Sequence, residues 1–191
     1  MAAALKSVDR VDILTLQDNY IEITAMDSNA VVTRANPLKE GEIRTSVLAE
    51  HGFSALVQTT LGNKTHTLLF DFGFSENGAA QNAETLNADM AQIEAAALSH
   101  GHSDHTGGMA KLVAMTGKNN IPFAVHPSAF KSPRYLKFGE ELKINFPKLT
   151  REMVKAAGLA AVETEEPYLL LEDTILFLGE IPRTTDFETG W

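Results

Sequence analysis

Three of the chain's six histidines fall inside one window, His100-Gly101-His102-Ser103-Asp104-His105, so any fold it adopts must bring four donor side chains to one place. On an extended segment, side chains two apart point the same way, and His100 and His102 can present imidazoles to a single ion. A turn then redirects the chain. Beyond it Asp104 and His105 can reach a second ion, since neutral imidazole and carboxylate both suit Zn²⁺, Fe or Mn²⁺. The spacing predicts two divalent ions, zinc first with iron or manganese as alternatives. In such sites the ions stand about 3.5–4 Å apart, and a bound water loses a proton near neutral pH to become a nucleophile. Hydrolysis is the natural chemistry, with Asp104 both ligand and catalytic carboxylate. The competing reading is a polar loop that happens to contain histidines, which a residue type this sparse makes hard to reach by chance.

The surrounding pattern predicts the scaffold. Residues 53–61 and 64–72 are strand-like and separated by Gly62-Asn63, the two-residue signal of a tight hairpin. Asp71 closes the second of these strands between two phenylalanines, where a bare carboxylate is costly unless it accepts hydrogen bonds. A histidine N–H is a fitting donor, which makes Asp71 the residue that fixes the ring tautomer of a metal ligand; the alternative is an aspartate capping a turn. Residues 94–98 read as a strand leading into the histidine window, and Gly107-Gly108 opens a helix over 109–115. Strand, ligand loop and helix in that order place the loop at a strand's carboxyl end, where open α/β sheets build their sites. The glycines are expected to let backbone pass close to the metals.

Elsewhere the reading is coarser. Residues 11–16 predict a first strand. Residues 24–50 are irregular, with turns at Asn36-Pro37 and Glu40-Gly41, and read either as a loop over the site or as a surface excursion. A helix is expected within 76–92, which hold Ala, Gln, Asn, Glu, Leu and Met and, apart from Thr85, no β-branched residue. Strands are expected over 121–125, 160–162 and 174–178. His126, after the first of these, either lines a substrate pocket or caps the strand. Thr150 is a helix N-cap with Leu149 and Val154 placed as a hydrophobic staple, and Gly158 ends that helix. Between Lys131 and Arg151 six cations face only Glu140 and Glu141, a local +4 that leaves −13 elsewhere in a chain of net charge −9. With Tyr135 and Phe138 among them, these cations suit a small anionic or phosphorylated ring-bearing substrate, or form a solvated basic face.

The acidic balance argues against nonspecific nucleic-acid binding. The absence of cysteine removes disulfides, thiolate nucleophiles and sulfur ligands. No run is long and apolar enough for a membrane span or a secretion signal, so cytoplasmic residence is the expectation. No repeat or linker interrupts the pattern, and residues 1–191 are assigned to one αβ domain.

The segment Ala97-Leu98-Ser99-His100-Gly101-His102-Ser103-Asp104-His105-Thr106-Gly107-Gly108 resembles the metal-binding loop of the metallo-β-lactamase superfamily. Leu69-Phe70-Asp71-Phe72-Gly73 is similar to the strand end that supports that loop. Asp18-Asn19-Tyr20, Glu50-His51-Gly52-Phe53-Ser54 and Gly179-Glu180-Ile181-Pro182-Arg183 are similar to a narrower branch. That branch includes proteins named for dihydropterin ribofuranosylaminobenzene 5'-phosphate synthase, a carbon–carbon bond-forming step toward methanopterin-type cofactors, and many members described only as metal-dependent hydrolases. The resemblance covers residues 11 to 188 and implies an α/β (α+β) αββα sandwich.

That superfamily takes further ligands from its second half, and after His105 this sequence offers only His126. The resemblance therefore implies an N-terminal portion of a longer protein: the first half of the sandwich plus part of the second, with an apolar sheet face left open. Such a chain would self-associate or pair with a complementing C-terminal half. Three functions follow: a metal-dependent hydrolase using a metal-bound hydroxide, a transferase of the synthase type, or an incomplete chain that binds metal without turnover.

Overall fold

The computed structural model of the chain describes residues 4–22, 24–34, 38–43 and 46–187. Its strands are β1 (Arg10–Gln17), β2 (Leu38–Lys39), β3 (Glu42–Ile43), β4 (Ser54–Leu61), β5 (Lys64–Phe70), β6 (Ile93–Ala97), β7 (Ile121–Val125), β8 (Tyr135–Phe138), β9 (Leu142–Asn145), β10 (Leu159–Glu163), β11 (Tyr168–Leu170) and β12 (Ile175–Phe177). Three helices accompany them, α1 (Gly78–Thr85), α2 (Met109–Met115) and α3 (Arg151–Ala156). Six strands form one sheet in the order β1-β4-β5-β6-β7-β10. The β1–β4 and β4–β5 pairs are antiparallel, and the β5–β6, β6–β7 and β7–β10 pairs are parallel.

The β4–β5 hairpin forms as expected. Leu61 pairs with Lys64, and Gly62 at φ +61 takes the left-handed turn position that a side chain would resist. Parallel strands need crossovers, and α1 and α2 supply those from β5 to β6 and from β6 to β7. Alternation then divides the apolar residues between two faces. One face sets Leu56, Leu69, Ala96, Phe123 and Val125 against Ala79, Ala83, Leu112, Val113 and Val154 of the helices. The opposite face carries Leu68 and the small residues Ala95, Ala97 and Ala124, on which the β11–β12 hairpin lies through Leu170, Ile175 and Phe177. The open sheet face expected from the sequence is thus covered over its centre. Its exposed apolar residues gather at the β1 edge, at Val11 and Ile13.

Several expectations shift. The predicted Glu40-Gly41 turn joins the short β2–β3 hairpin, with both residues at positive φ, while the Asn36-Pro37 turn lies outside the described residues. The basic segment, read as a surface for an anionic substrate or as a solvated basic face, contains the β8–β9 hairpin, on which Lys143 stacks over the Tyr135 ring at 3.8 Å. Among the described residues no helix is long and apolar enough to cross a membrane.

Thr150 caps α3 as its sequence position predicts: its hydroxyl accepts from the Met153 backbone N–H at 3.2 Å, and Leu149 and Val154 are both buried beside it. Removing that acceptor strands one backbone donor at the helix start. Thr150→Ala should lower unfolding free energy by about 1 kcal/mol in urea denaturation, and Thr150→Ser should recover most of it.

Candidate metal centre

β5 and β6 run parallel with Phe70 level with Ala97, so their carboxyl ends deliver Asp71 and the Leu98-Ser99-His100 turn side by side. Asp71 sits at φ +55 and is 1% exposed. Aspartate is among the few residues that adopt that conformation at modest strain. Its two oxygens then meet three donors. Oδ1 accepts from the Ser99 backbone N–H at 2.7 Å, and Oδ2 accepts from the Ser99 hydroxyl at 2.6 Å and from His105 Nδ1 at 2.7 Å.

These bonds settle which ring nitrogens point outward. Because His105 donates Nδ1–H to a carboxylate, Nε2 of the neutral ring keeps its lone pair. The Ser99 hydroxyl gives its proton to Asp71, so toward His100 Nδ1, at 3.0 Å, it can only accept. His100 is thereby fixed with Nδ1 protonated and Nε2 free. One buried carboxylate orients two imidazoles, the second through a serine.

His100, Asp104 and His105 each offer a ligand atom, and these atoms lie within 4.8 Å of one another. Ser103–His105 form a single 3₁₀ turn that folds the later two donors back over the first. Asp104 Oδ2 stands 3.4 Å from His105 Nε2. The His100 and His105 ring centroids are 4.2 Å apart. His102 is brought alongside, its ring edge-on to His100 at 4.6 Å, but its nitrogens stand outside the compact set. Of the four donors expected from the window, three converge and one flanks them.

Electrostatics separate the two central rings. Burial depresses His100, and the positive charge that His105 and His102 can carry adds to it, against the pull of Asp71 and Asp104; its pKa falls below the usual histidine value. Burial acts the same way on His105, but the hydrogen bond to Asp71 and the charges of Asp71 and Asp104 outweigh it and raise that ring. A cation between Asp104 and His105 would replace the proton that the anionic surroundings favour. Nitrogen and oxygen donors of this kind suit zinc and its borderline neighbours, so the residues present fit a divalent ion.

Other residues take different places from those expected. Gly107 and Gly108 pack against the Phe72–Phe74 backbone, where added Cβ atoms would come within 1.6 Å of the Phe74 carbonyl and 2.4 Å of the Phe72 carbonyl. The close approach they permit here is loop against loop. His126 accepts the Ser128 backbone N–H at 3.1 Å and lies 2.6 Å from the Ser128 hydroxyl, so it caps the turn over Pro127–Phe130. Arg134, counted among the substrate-facing cations, donates to the carbonyls of Gly101 at 2.6 Å and Ser128 at 3.0 Å. It braces the metal loop from behind, and burial lowers its pKa. Ser99 had no assigned role in the sequence, though a hydroxyl directly before His100 was the available signal.

The chain belongs to the metallo-beta-lactamase superfamily, whose family model matches residues 49–188. Within it the chain is similar to 7,8-dihydropterin-6-methyl-4-(beta-D-ribofuranosyl)-aminobenzene-5'-phosphate synthase of Methanocaldococcus jannaschii, at 29% identity over 138 residues, which are 70% of this chain and 45% of that protein. Among solved structures it is similar to MEM-A1, a subclass B3 metallo-beta-lactamase from a soil metagenome library, with 22% identity and a TM-score of 0.40 over 65% of this chain and 44% of that one. It is also similar to the metallo-beta-lactamase fold protein YhfI of Bacillus subtilis, with 15% identity and a TM-score of 0.42 over 85% of this chain and 50% of that one. The chain spans about half the length of the relatives it matches.

Proposed function

We propose that the protein is a metal-dependent hydrolase whose centre is held by His100, His102, Asp104 and His105, with Asp71 orienting the rings. The observation that carries this reading is the convergence of His100, Asp104 and His105 in front of a buried carboxylate that fixes both ring tautomers. Zinc is the first candidate, iron and manganese the next, and the HxHxDH spacing supports two ions. When bound, such ions act as Lewis acids and lower the pKa of water toward neutrality. Asp104 lies 3.2 Å from His51 Nε2, and its carboxylate would accept a hydrogen bond from the attacking water, orient it and take its proton. His105, held against Asp71, keeps its place as charge develops. The substrate class is a small anionic ester or phosphodiester: Lys137 and Lys143 lie on the β8–β9 hairpin, and Arg134 ties the start of that hairpin to Gly101.

A transferase of the synthase type is the second reading, favoured by the likeness to the Methanocaldococcus jannaschii protein. There the same residues would hold the ions, and the nucleophile would be a carbon centre instead of water. Purified chain, dialysed against zinc and then buffer, should retain metal by elemental analysis, and His105→Ala should lose it. Hydrolysis of bis-p-nitrophenyl phosphate supports the first reading. Condensation of a dihydropterin diphosphate with a ribofuranosylaminobenzene phosphate supports the second, and a chain that retains no metal sinks both.

A further inference from the structure

Two exposed rings stand beside the metal centre, and the core covers neither. Phe74 is 45% exposed; the His51 side chain is 73% exposed, with its Nε2 3.2 Å from Asp104 Oδ2. The two rings meet edge-on, their centroids 6.4 Å apart and their planes at 73°. We propose that His51 and Phe74 form an aromatic subsite next to Asp104, which takes a planar aromatic group attached to the substrate's anionic head.

Single exposed apolar residues are ordinary on a protein surface, so exposure by itself carries nothing. The bracing of these two does. Around Phe74, Gly73 N–H donates to the Phe53 carbonyl at 2.8 Å, Gly107 N–H to the Gly73 carbonyl at 2.9 Å, and Ser75 N–H to Glu50 Oε2 at 3.2 Å. The Ser75 hydroxyl donates to the same carboxylate oxygen at 2.8 Å. Around His51, the Gln17 amide donates to the Glu50 carbonyl at 3.1 Å, and Gly52 N–H to Asn19 Oδ1 at 3.2 Å. Glu50 therefore ties the residue after Phe74 to the residue before His51, and the two rings are coupled through their backbones. Gly52 has φ +114, and any Cβ there would fall 2.2 Å from the Asp104 carbonyl, so only glycine brings His51 this close to the metal loop.

A phenyl ring and an imidazole at this steep angle make a corner. A third ring can stack on one wall and meet the other edge-on, the two arrangements that aromatic quadrupoles favour. Because the backbone on each side is already fixed, little order is lost when a ligand arrives. The anionic head belongs at the ions held by His100, Asp104 and His105, and the corner lies against Asp104. The substrate class this selects is an aryl phosphoester over an alkyl one of equal charge.

This inference rests on the metal reading of the histidine window, and the test keeps the two apart. Zinc is first titrated into the full chain by calorimetry; phenylphosphonate and methylphosphonate, which share a head group and resist ester hydrolysis, are then titrated into the zinc-loaded wild type, Phe74→Ala and Phe74→Tyr. Phenylphosphonate should bind roughly 3–10-fold tighter than methylphosphonate to wild type and to Phe74→Tyr, which keeps the ring. In Phe74→Ala that preference should vanish, with zinc affinity, methylphosphonate affinity and circular dichroism unchanged. Nuclear Overhauser contacts from the phenyl protons to the Phe74 and His51 rings of wild type test the placement without any substitution. With zinc in place, equal affinity for the two phosphonates, no binding of either, a preference that survives Phe74→Ala, or no contact with the two rings overturns the subsite alone. A chain that takes up no zinc overturns the metal reading, and the subsite with it.

Discussion

Asp71→Ala should cost the protein about 3–5 kcal/mol of unfolding free energy and its zinc affinity together. The carboxylate is 1% exposed and satisfies the Ser99 N–H, the Ser99 hydroxyl and His105 Nδ1. Truncation strands all three donors, and each unsatisfied partner in a buried place costs about 1–3 kcal/mol, less what water recovers. Alanine at φ +55 adds about 1 kcal/mol of backbone strain that aspartate partly relieves. Released from Asp71, His105 rotates freely and the Ser99 to His100 relay loses its anchor, so zinc affinity should fall 10–100-fold as is usual when a ligand's orienting partner is removed. Asp71→Asn separates the two losses. An asparagine fills the same space and still accepts one donor, so stability should fall by only about 1 kcal/mol. If the amide nitrogen faces His105, however, it donates to Nδ1 and drives the ring proton to Nε2, the atom needed for the ion. Zinc titration and urea denaturation of both variants check this, and wild-type zinc affinity in Asp71→Asn would contradict the orienting role.

What the sequence disclosed and what it withheld divide along the range of the interactions. Gly62-Asn63, the Thr150 cap with its Leu149–Val154 staple, and the strand-loop-helix order around His100 are all set within a few residues, and each forms where expected. The β11–β12 hairpin is different. Its turn holds Leu171, Glu172 and Asp173 at φ 54, 54 and 67, successive left-handed residues without a glycine, which local propensity does not anticipate. Packing on Ala95, Ala97 and Ala124 selects that turn. In the β8–β9 segment only Leu142–Asn145 alternates apolar with polar residues, too short a pattern to mark a hairpin among so many cations. The site divides the same way. His100, Asp104 and His105 were legible because they are sequence neighbours; His51 was legible only as part of a motif, since what matters about it is a contact made across the fold. Asp71 stood between these cases. Its apolar flanks announced a carboxylate in need of donors, but the share taken by Ser99 depends on the parallel pairing of β5 with β6.

That pairing also locates the glycine with the tightest surroundings among the described residues. Gly107→Ala should destabilise the protein by about 3–5 kcal/mol and abolish tight zinc binding, although the change adds one methyl group and touches no donor. The Phe72–Phe74 segment leaving β5 is laced to the metal loop by three backbone hydrogen bonds: Phe72 N–H to the His105 carbonyl at 2.9 Å, Gly107 N–H to the Gly73 carbonyl at 2.9 Å, and Gly108 N–H to the Phe72 carbonyl at 3.1 Å. A Cβ on Gly107 would lie 1.6 Å from the Phe74 carbonyl oxygen, where ordinary contacts of this kind need about 3.3 Å or more. Because the obstacle is backbone, no rotamer change relieves it, and the two segments must part. Their separation breaks the lacing and carries His105 away from Asp71, whose 2.7 Å bond holds the ring. Gly62→Ala is the control: nothing stands within 4 Å of its Cβ, so the penalty there is the left-handed backbone alone, about 1 kcal/mol, with zinc binding intact. Urea denaturation and zinc calorimetry on the pair distinguish steric lacing from general glycine strain. Equal losses in the two variants, or retained zinc affinity in Gly107→Ala, would show that the metal loop does not depend on its seat against β5.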